Sequence, residues 1–151
     1  MKRILFVCHG NICRSPMAEF IMKDELKKRG LSGDVYVESA GTSTEELGNF
    51  VYPPAAVTLL AHGISSRGKR ARQLTFDDLD RFDIFIGMDS ANIRNMRCIL
   101  GEDAPIYKMM SFVGEDADVR DPWYHDCYEE TFEDCKMAID ALIDKLERGE
   151  I

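Results

Sequence analysis

The sequence is short of positive charge. Nineteen Lys and Arg stand against 27 Asp and Glu, a formal net charge of -8. That balance excludes a general nucleic-acid or membrane surface and requires any bound anion to be held locally against the overall field. Long hydrophobic runs are also missing. Lys2 and Arg3 lead into an apolar stretch that stops at Cys8, too short for the core of a secretion signal, and nothing approaches a membrane span. The sequence therefore reads as cytoplasmic. Five cysteines, an odd number, cannot form a complete disulfide framework. Free thiols in a reducing compartment are expected, at least one of them serving packing or chemistry. No second Cys/His pair has ligand spacing, so no metal site is expected. Repeats, low-complexity tracts and linkers are absent, and 151 residues suit one domain spanning 1–151.

What is present alternates strand and helix. Ile4 to Val7 is a continuous apolar run, as in a strand covered on both faces. Met17, Phe20, Ile21 and Leu26 then recur at helical spacing until Gly30, with Ser15 suited to the cap and Pro16 to the first position. Val35 to Val37 predicts a second strand leading to Ser39-Ala40-Gly41, so the first forty residues read as a right-handed crossover between parallel strands. Pro53-Pro54 opens a helix whose Ala56, Val57, Leu59 and Leu60 are expected to face inward. The basic run Arg67, Lys69, Arg70 and Arg72 reads as a solvated loop. Ile84 to Met88 predicts a third strand, Asp89 or Ser90 the cap of a helix carrying Ile93, Met96 and Leu100, and Ile106 to Met110 a fourth strand. Residues 114–127 have no hydrophobic period and read as a functional or mobile loop. The segment from Tyr128 to Leu146 is the clearest amphipathic helix. The sum is an α/β fold, three-layer, with a four-stranded parallel sheet and helices on both faces.

Between the first strand and the first helix runs Cys8-His9-Gly10-Asn11-Ile12-Cys13-Arg14-Ser15. A cysteine ending a buried strand is commonly a core residue, and C-x5-R is a common spacing. The context points elsewhere: Gly10 permits close backbone approach, Asn11 tolerates a left-handed conformation, and the segment occupies the junction where open α/β sheets bind ligands. Successive amides and a helix dipole aimed at one spot make an anion site, and they favour the thiolate, which is the nucleophilic form. Arg14 adds a guanidinium fork able to hold two phosphate oxygens while the loop amides hold the rest, leaving the phosphorus in line with the sulfur. The same donors stabilise charge that develops during transfer. His9 is a further group able to add charge near a phosphate at lower pH. His62 and His125 read as structural or solvated.

The stretch CHGNICRSP, together with Ser39-Ala40-Gly41, His62-Gly63-Ile64, Ala71 to Thr75, Met88-Asp89 and Asp121-Pro122, resembles the low-molecular-weight protein tyrosine phosphatase family over essentially the whole chain. The resemblance implies a phosphate loop between first strand and first helix. It also implies hydrolysis of phosphotyrosine and small aryl phosphates through a phosphocysteine, with no cofactor and with the protein acting as a monomer on a phosphotyrosine-containing protein. Residue by residue, it makes Cys8 the nucleophile and Arg14 the phosphoryl-binding group, in a loop completed by His9, Gly10, Asn11 and Ile12. Ser15 would donate its hydroxyl to the thiolate. Asp121, which alone would read as part of an Asp-Pro turn, becomes the general acid for the leaving oxygen and then the base for water, a role typically worth roughly 10²–10⁴ in rate. Cys13 is either a core residue or, by the resemblance, a reversible disulfide partner that makes the nucleophile redox-regulated. Trp123 and Tyr124 either pack against the last helix or flank a slot for the substrate ring.

Some positions depart from the better-known animal members. His9 replaces an apolar residue, Glu46 stands where an aromatic often lines the pocket, and Lys69 stands where histidine is frequent. Glu46 is expected to repel acidic peptides and the run Arg67 to Arg72 to attract them. Two other activities share the fold. Arginine phosphatases carry threonine at the place of Ile12, and a branched apolar residue there suits a flat ring better than a guanidinium-type group. Arsenate reductases relay a disulfide through two cysteines after the third strand, where Cys98 is alone, while Cys127 and Cys135 flank the start of the last helix. A phosphotyrosine- or anion-binding module would need neither a thiolate nor an acid.

Overall fold

A computed structural model describes residues 1–151. Its order is β1 (Lys2–Cys8), α1 (Arg14–Lys28), β2 (Val35–Gly41), α2 (Pro53–Ala61), β3 (Ile84–Gly87), α3 (Ser90–Leu100), β4 (Ile106–Lys108), α4 (Pro122–His125) and α5 (Tyr128–Glu147), with 3₁₀ turns at Phe76–Asp80 and Met109–Val113. The four strands form one parallel sheet in the order β2-β1-β3-β4. The chain leaves β1 toward β2 on one side and later reaches β3 on the other. The carboxyl end of β1 is therefore the switch point of the sheet, where loops diverge and leave a crevice.

Side-chain alternation along β1 builds the two faces. Ile4, Phe6 and Cys8 point into the larger core with Met17, Ile21, Ile139, Leu142 and Ile143, where α1 and α5 cover the sheet. Leu5 and Val7 point the other way, onto Phe85, Met96 and Leu100 beneath α3. A strand buried on both faces has no place for polar alternation, which is why Ile4 to Val7 reads as an unbroken apolar run. Gly30 follows α1 at φ 72°, a left-handed stop that glycine adopts without steric cost.

Four expectations change. Helix α1 starts at Arg14, so Ser15 is its second residue rather than its cap, and the hydroxyl is used elsewhere. In α2 only Ala55 and Leu59 are buried, and Val57 and Leu60 stand exposed because this nine-residue helix lies at the periphery of the layer. The fourth strand stops at Lys108, where the chain tightens into the 3₁₀ turn that buries Met109 and Met110. The basic run is a loop solvated at Arg67 and Arg70 but not at Lys69 and Arg72. Lys69 donates to the Ser39 carbonyl at 2.8 Å and lies 3.5 Å from Glu19, and Arg72 holds Asp78 through two bonds of 3.2 Å.

Candidate active site

The backbone of the β1–α1 connection is polarised. The carbonyls of Cys8, His9, Ile12 and Cys13 accept from the amides of Thr42, Ser43, Tyr52 and Met17 at 2.9–3.0 Å. No N–H of residues 9–13 makes a backbone hydrogen bond, so the amides are left for an anion and the carbonyls point away from it. Asn11 turns the loop at φ 60°. The end of β2 passes directly beneath: a Cβ at Gly41 would lie 2.7 Å from the His9 carbonyl oxygen. Only glycine fits there.

Below the loop a buried hydrogen-bond chain links Glu19 to Cys8, with the Asn11 amide donating in both directions. Glu19, 3% exposed, is held by Lys23 at 2.6 Å and accepts from the Ser39 hydroxyl at 2.6 Å. With its proton committed to Glu19, Ser39 accepts from the Asn11 side-chain amide at 2.9 Å, and the same amide donates to Ser15 Oγ at 2.9 Å. The Asn11 carbonyl oxygen accepts from the Arg72 amide at 3.1 Å, which fixes the orientation of the group. Ser15 is thus an acceptor from Asn11 and retains one proton. Cys8 Sγ lies 3.0 Å from its oxygen, with the Ala40 carbonyl farther away at 3.3 Å. A thiolate at Cys8 would receive that proton's hydrogen bond.

Arg14 rises beside the sulfur. Its Nη1 donates to Asp89 Oδ2 at 2.8 Å and to the Val119 carbonyl at 2.9 Å, and its Nη2 lies 3.5 Å from Asp121 Oδ2. Burial alone would lower the Arg14 guanidinium, but the neighbouring Cys8, Asp121 and Asp89 hold it above its ordinary value. Asp89 divides its oxygens: Oδ1 accepts from the Asn92 amide at 2.7 Å as the cap of α3. Asp121 caps the short α4 through a bond from the Trp123 amide at 3.1 Å, which turns the following aromatic residues toward the loop. The 114–127 segment is tied down by the bond from the Val119 amide to the Met88 carbonyl at 2.8 Å.

One pocket collects Cys8, His9, Gly10, Ile12, Cys13, Arg14, Glu46, Asp121, Trp123 and Tyr124, so every anticipated site residue except Asn11 and Ser15 lines it, and those two lie beneath. Trp123 and Tyr124 stand largely exposed, and Trp123 tilts against Tyr52 with ring centroids 4.7 Å apart. Cys13 faces Tyr128. Burial first, then the nearby Cys8 and Asp121, push its thiol up to about 12, which keeps it protonated. Residues that sequence reasoning missed are Asp89 as the holder of Arg14, Glu19 and Ser39 as the start of the chain to Cys8, Tyr52 as the support of Trp123, and Glu45, which meets His9 at 3.0 Å. Asp89 had a readable signal: an acid at the end of the strand adjoining the switch point.

The family model of the low molecular weight phosphotyrosine protein phosphatases matches residues 3–150. The chain belongs to this family. Among relatives, the low molecular weight protein-tyrosine-phosphatase YfkJ of Bacillus subtilis is 38% identical over 98% of this chain and 97% of its own, and its crystal structure superposes with a TM-score of 0.94 over 100% and 98%. A protein tyrosine phosphatase structure from Entamoeba histolytica covers 100% of both chains at 29% identity and a TM-score of 0.93. The YwlE arginine phosphatase, solved with a phosphorylated active-site serine, is similar at 28% identity and a TM-score of 0.87, covering 96% of this chain and 95% of that one. In this low molecular weight phosphatase the polarised loop lies at the switch point that the four-stranded sheet creates.

Proposed function

We propose that this protein hydrolyses phosphotyrosine in proteins, and small aryl phosphates, through a phosphocysteine on Cys8. The observation that carries the reading is the Cys8 sulfur at 3.0 Å from the Ser15 hydroxyl, at the foot of a loop whose amides are free of backbone partners. In the first step the thiolate attacks phosphorus, the bond from phosphorus to the tyrosyl oxygen breaks, and the Asp121 carboxyl gives its proton to the departing oxygen. Arg14 and the loop amides hold the three equatorial oxygens throughout. In the second step the Asp121 carboxylate takes a proton from water as the water oxygen bonds to phosphorus. The S–P bond then breaks, returning the thiolate, which the Ser15 hydroxyl stabilises, and releasing phosphate. Both steps close without a cofactor.

Ile12 supports a flat aryl ring in the pocket over a guanidinium-type group, and Trp123 supplies a facing aromatic surface. Cys98 is exposed on α3 and Cys135 is fully buried in α5, which gives an arsenate relay no pair of accessible thiols near the loop. The free cysteines suit the cytoplasm, and no helix is long and apolar enough to cross a membrane. We take the functional unit to be the single domain 1–151 acting as a monomer. By the family resemblance, we further propose that Cys13, five residues after Cys8 in the same loop, condenses with a peroxide-oxidised Cys8 sulfenic acid, releasing water and forming a disulfide that a cellular thiol reduces.

The test is hydrolysis of para-nitrophenyl phosphate, a phosphotyrosine peptide and a phosphoarginine peptide by the wild type, Cys8→Ser and Asp121→Asn, with and without vanadate. Turnover is expected on both aryl substrates, abolished by Cys8→Ser and blocked by vanadate. Activity surviving Cys8→Ser sinks the mechanism, and phosphoarginine turnover exceeding phosphotyrosine turnover overturns the substrate.

A further inference from the structure

The mouth of the pocket carries more negative charge than its floor suggests. Glu45 and Glu46 lie in the turn after β2 and both line the opening. The Glu46 stem runs against the phosphate loop, where a Cβ at Gly10 would come within 3.3 Å of its Cγ. Its carboxylate accepts from the neutral Asn49 amide at 2.5 Å and has no cation within ion-pair distance. Glu45 hydrogen-bonds His9, whereas Glu46 has only the neutral Asn49 amide, so Glu46 is the rim carboxylate with no titratable partner.

No side chain of the basic run makes an ion pair with Glu46, and Arg67 and Arg70 stand exposed. Lys69 is spent on Glu19 and the Ser39 carbonyl, and Arg72 on Asp78 and Glu38. Arg70 lies 4.2 Å over the Phe50 ring and donates to the Gly48 carbonyl. Trp123 and Tyr124, which line the same pocket, are exposed aromatics, and aromatic faces attract cations as well as rings. A phosphate dianion approaching this mouth meets repulsion from the rim and from a molecule of net charge -8. A positive neighbour on the substrate cancels that repulsion.

We propose that the rim selects phosphotyrosine segments bearing Lys or Arg beside the phosphorylated residue, with Glu46 as the residue that reads the charge. The inference rests on the phosphatase reading above. Complementary charge at a site's mouth acts mainly on encounter and on binding, so the preference belongs in KM rather than kcat. It weakens with salt.

The experiment compares matched phosphotyrosine peptides with Lys, Ala or Glu flanking the phosphorylated residue, in the wild type, Glu46→Gln and Glu46→Lys, at low and high salt, with para-nitrophenyl phosphate as reference. Within each variant the readout is the ratio of kcat/KM between peptides, so a general loss of activity cancels. In the wild type the Lys peptide is expected to exceed the Glu peptide by about two- to five-fold at low salt, the size of an exposed ion pair. The ratio should approach one in Glu46→Gln and invert in Glu46→Lys. Equal ratios in the wild type, or a preference that persists in Glu46→Gln, overturn the proposal while para-nitrophenyl phosphate turnover leaves the phosphatase reading standing. Failure to hydrolyse any aryl phosphate overturns that reading, and this one with it.

Discussion

Cys8 and Cys13 are five residues apart in one loop and have opposite chemical prospects. Cys8 faces the Ser15 hydroxyl at the pocket floor, whereas Cys13 is buried against Tyr128 with its thiol pushed up to about 12. Brief iodoacetamide treatment at neutral pH, read by peptide mass spectrometry, should label Cys8 and the exposed Cys98 and spare Cys13 and Cys135; phosphate or vanadate should protect Cys8 alone. Asp89 offers a cleaner separation of roles. Asparagine caps a helix about as well as aspartate, so Asp89→Asn should keep α3 and the melting temperature while releasing Arg14. A drop in kcat/KM of about ten-fold, roughly 1.4 kcal/mol of transition-state stabilisation, is expected. Asp89→Ala should add about 1 kcal/mol of lost stability from the missing cap. Unchanged kinetics in Asp89→Asn would mean that the Val119 carbonyl and Asp121 suffice to orient Arg14. At this scale the candidate nucleophile, the arginine and the loop residues could be singled out together because they are contiguous in sequence. Glu19 and Ser39 could not, because their contacts depend on elements that only the fold brings together, and Asp89, although its place at a strand end was a signal, shows its hold on Arg14 only in the fold.

Between elements, the closest constraint is where β2 passes under the phosphate loop. Gly41→Ala would drive a methyl group to 2.7 Å from a backbone oxygen, and backbone cannot step aside as a flexible side chain does. The expected outcome is a stability loss of about 1–3 kcal/mol in chemical denaturation together with a marked fall in activity as the loop shifts. Gly87→Ala makes a useful contrast. Its nearest obstacles are side-chain atoms of Ile93 and Met96 at 2.8 Å rather than backbone, so it should cost less stability and little activity. Equal activity losses in the two variants would argue against a specific contact between β2 and the loop. The helices and buried strands were readable from periodicity and from apolar runs. The inward face of α2 was misassigned because a short peripheral helix rich in apolar residues gives no polar side against which to set a direction. Lys69 and Arg72 of the basic run were misread for a different reason: their partners Glu19, Glu38 and Asp78 are not marked by any local pattern of charge.

Across the whole molecule, several carboxylates lie below their usual range: Asp83 through bonds from Arg3, Glu25 through Lys136 and Arg29, and Asp118 chiefly through Lys108. A depressed folded value means that the stabilisation is complete above the unfolded value and disappears as pH falls through the folded one. Thermal stability should therefore be level above about pH 5 and decline on acidification below the ordinary values of 3.8 and 4.5, less steeply in high salt. A melting temperature unchanged down to about pH 3 would show that these pairs contribute nothing. The parallel topology was legible at this scale from the alternation of strand and helix, since a crossover between parallel strands has one usual hand. The central position of β1 has a further consequence. It is paired along Lys2–Cys8 with β2 and along Ile4–Val7 with β3, and carries the candidate nucleophile as its last residue. Amide exchange should be slowest there and fastest at β4 and α2, so the outer elements open and close while the sulfur stays in place. Function and global structure should then vanish together in denaturant, after the periphery has already begun to fray.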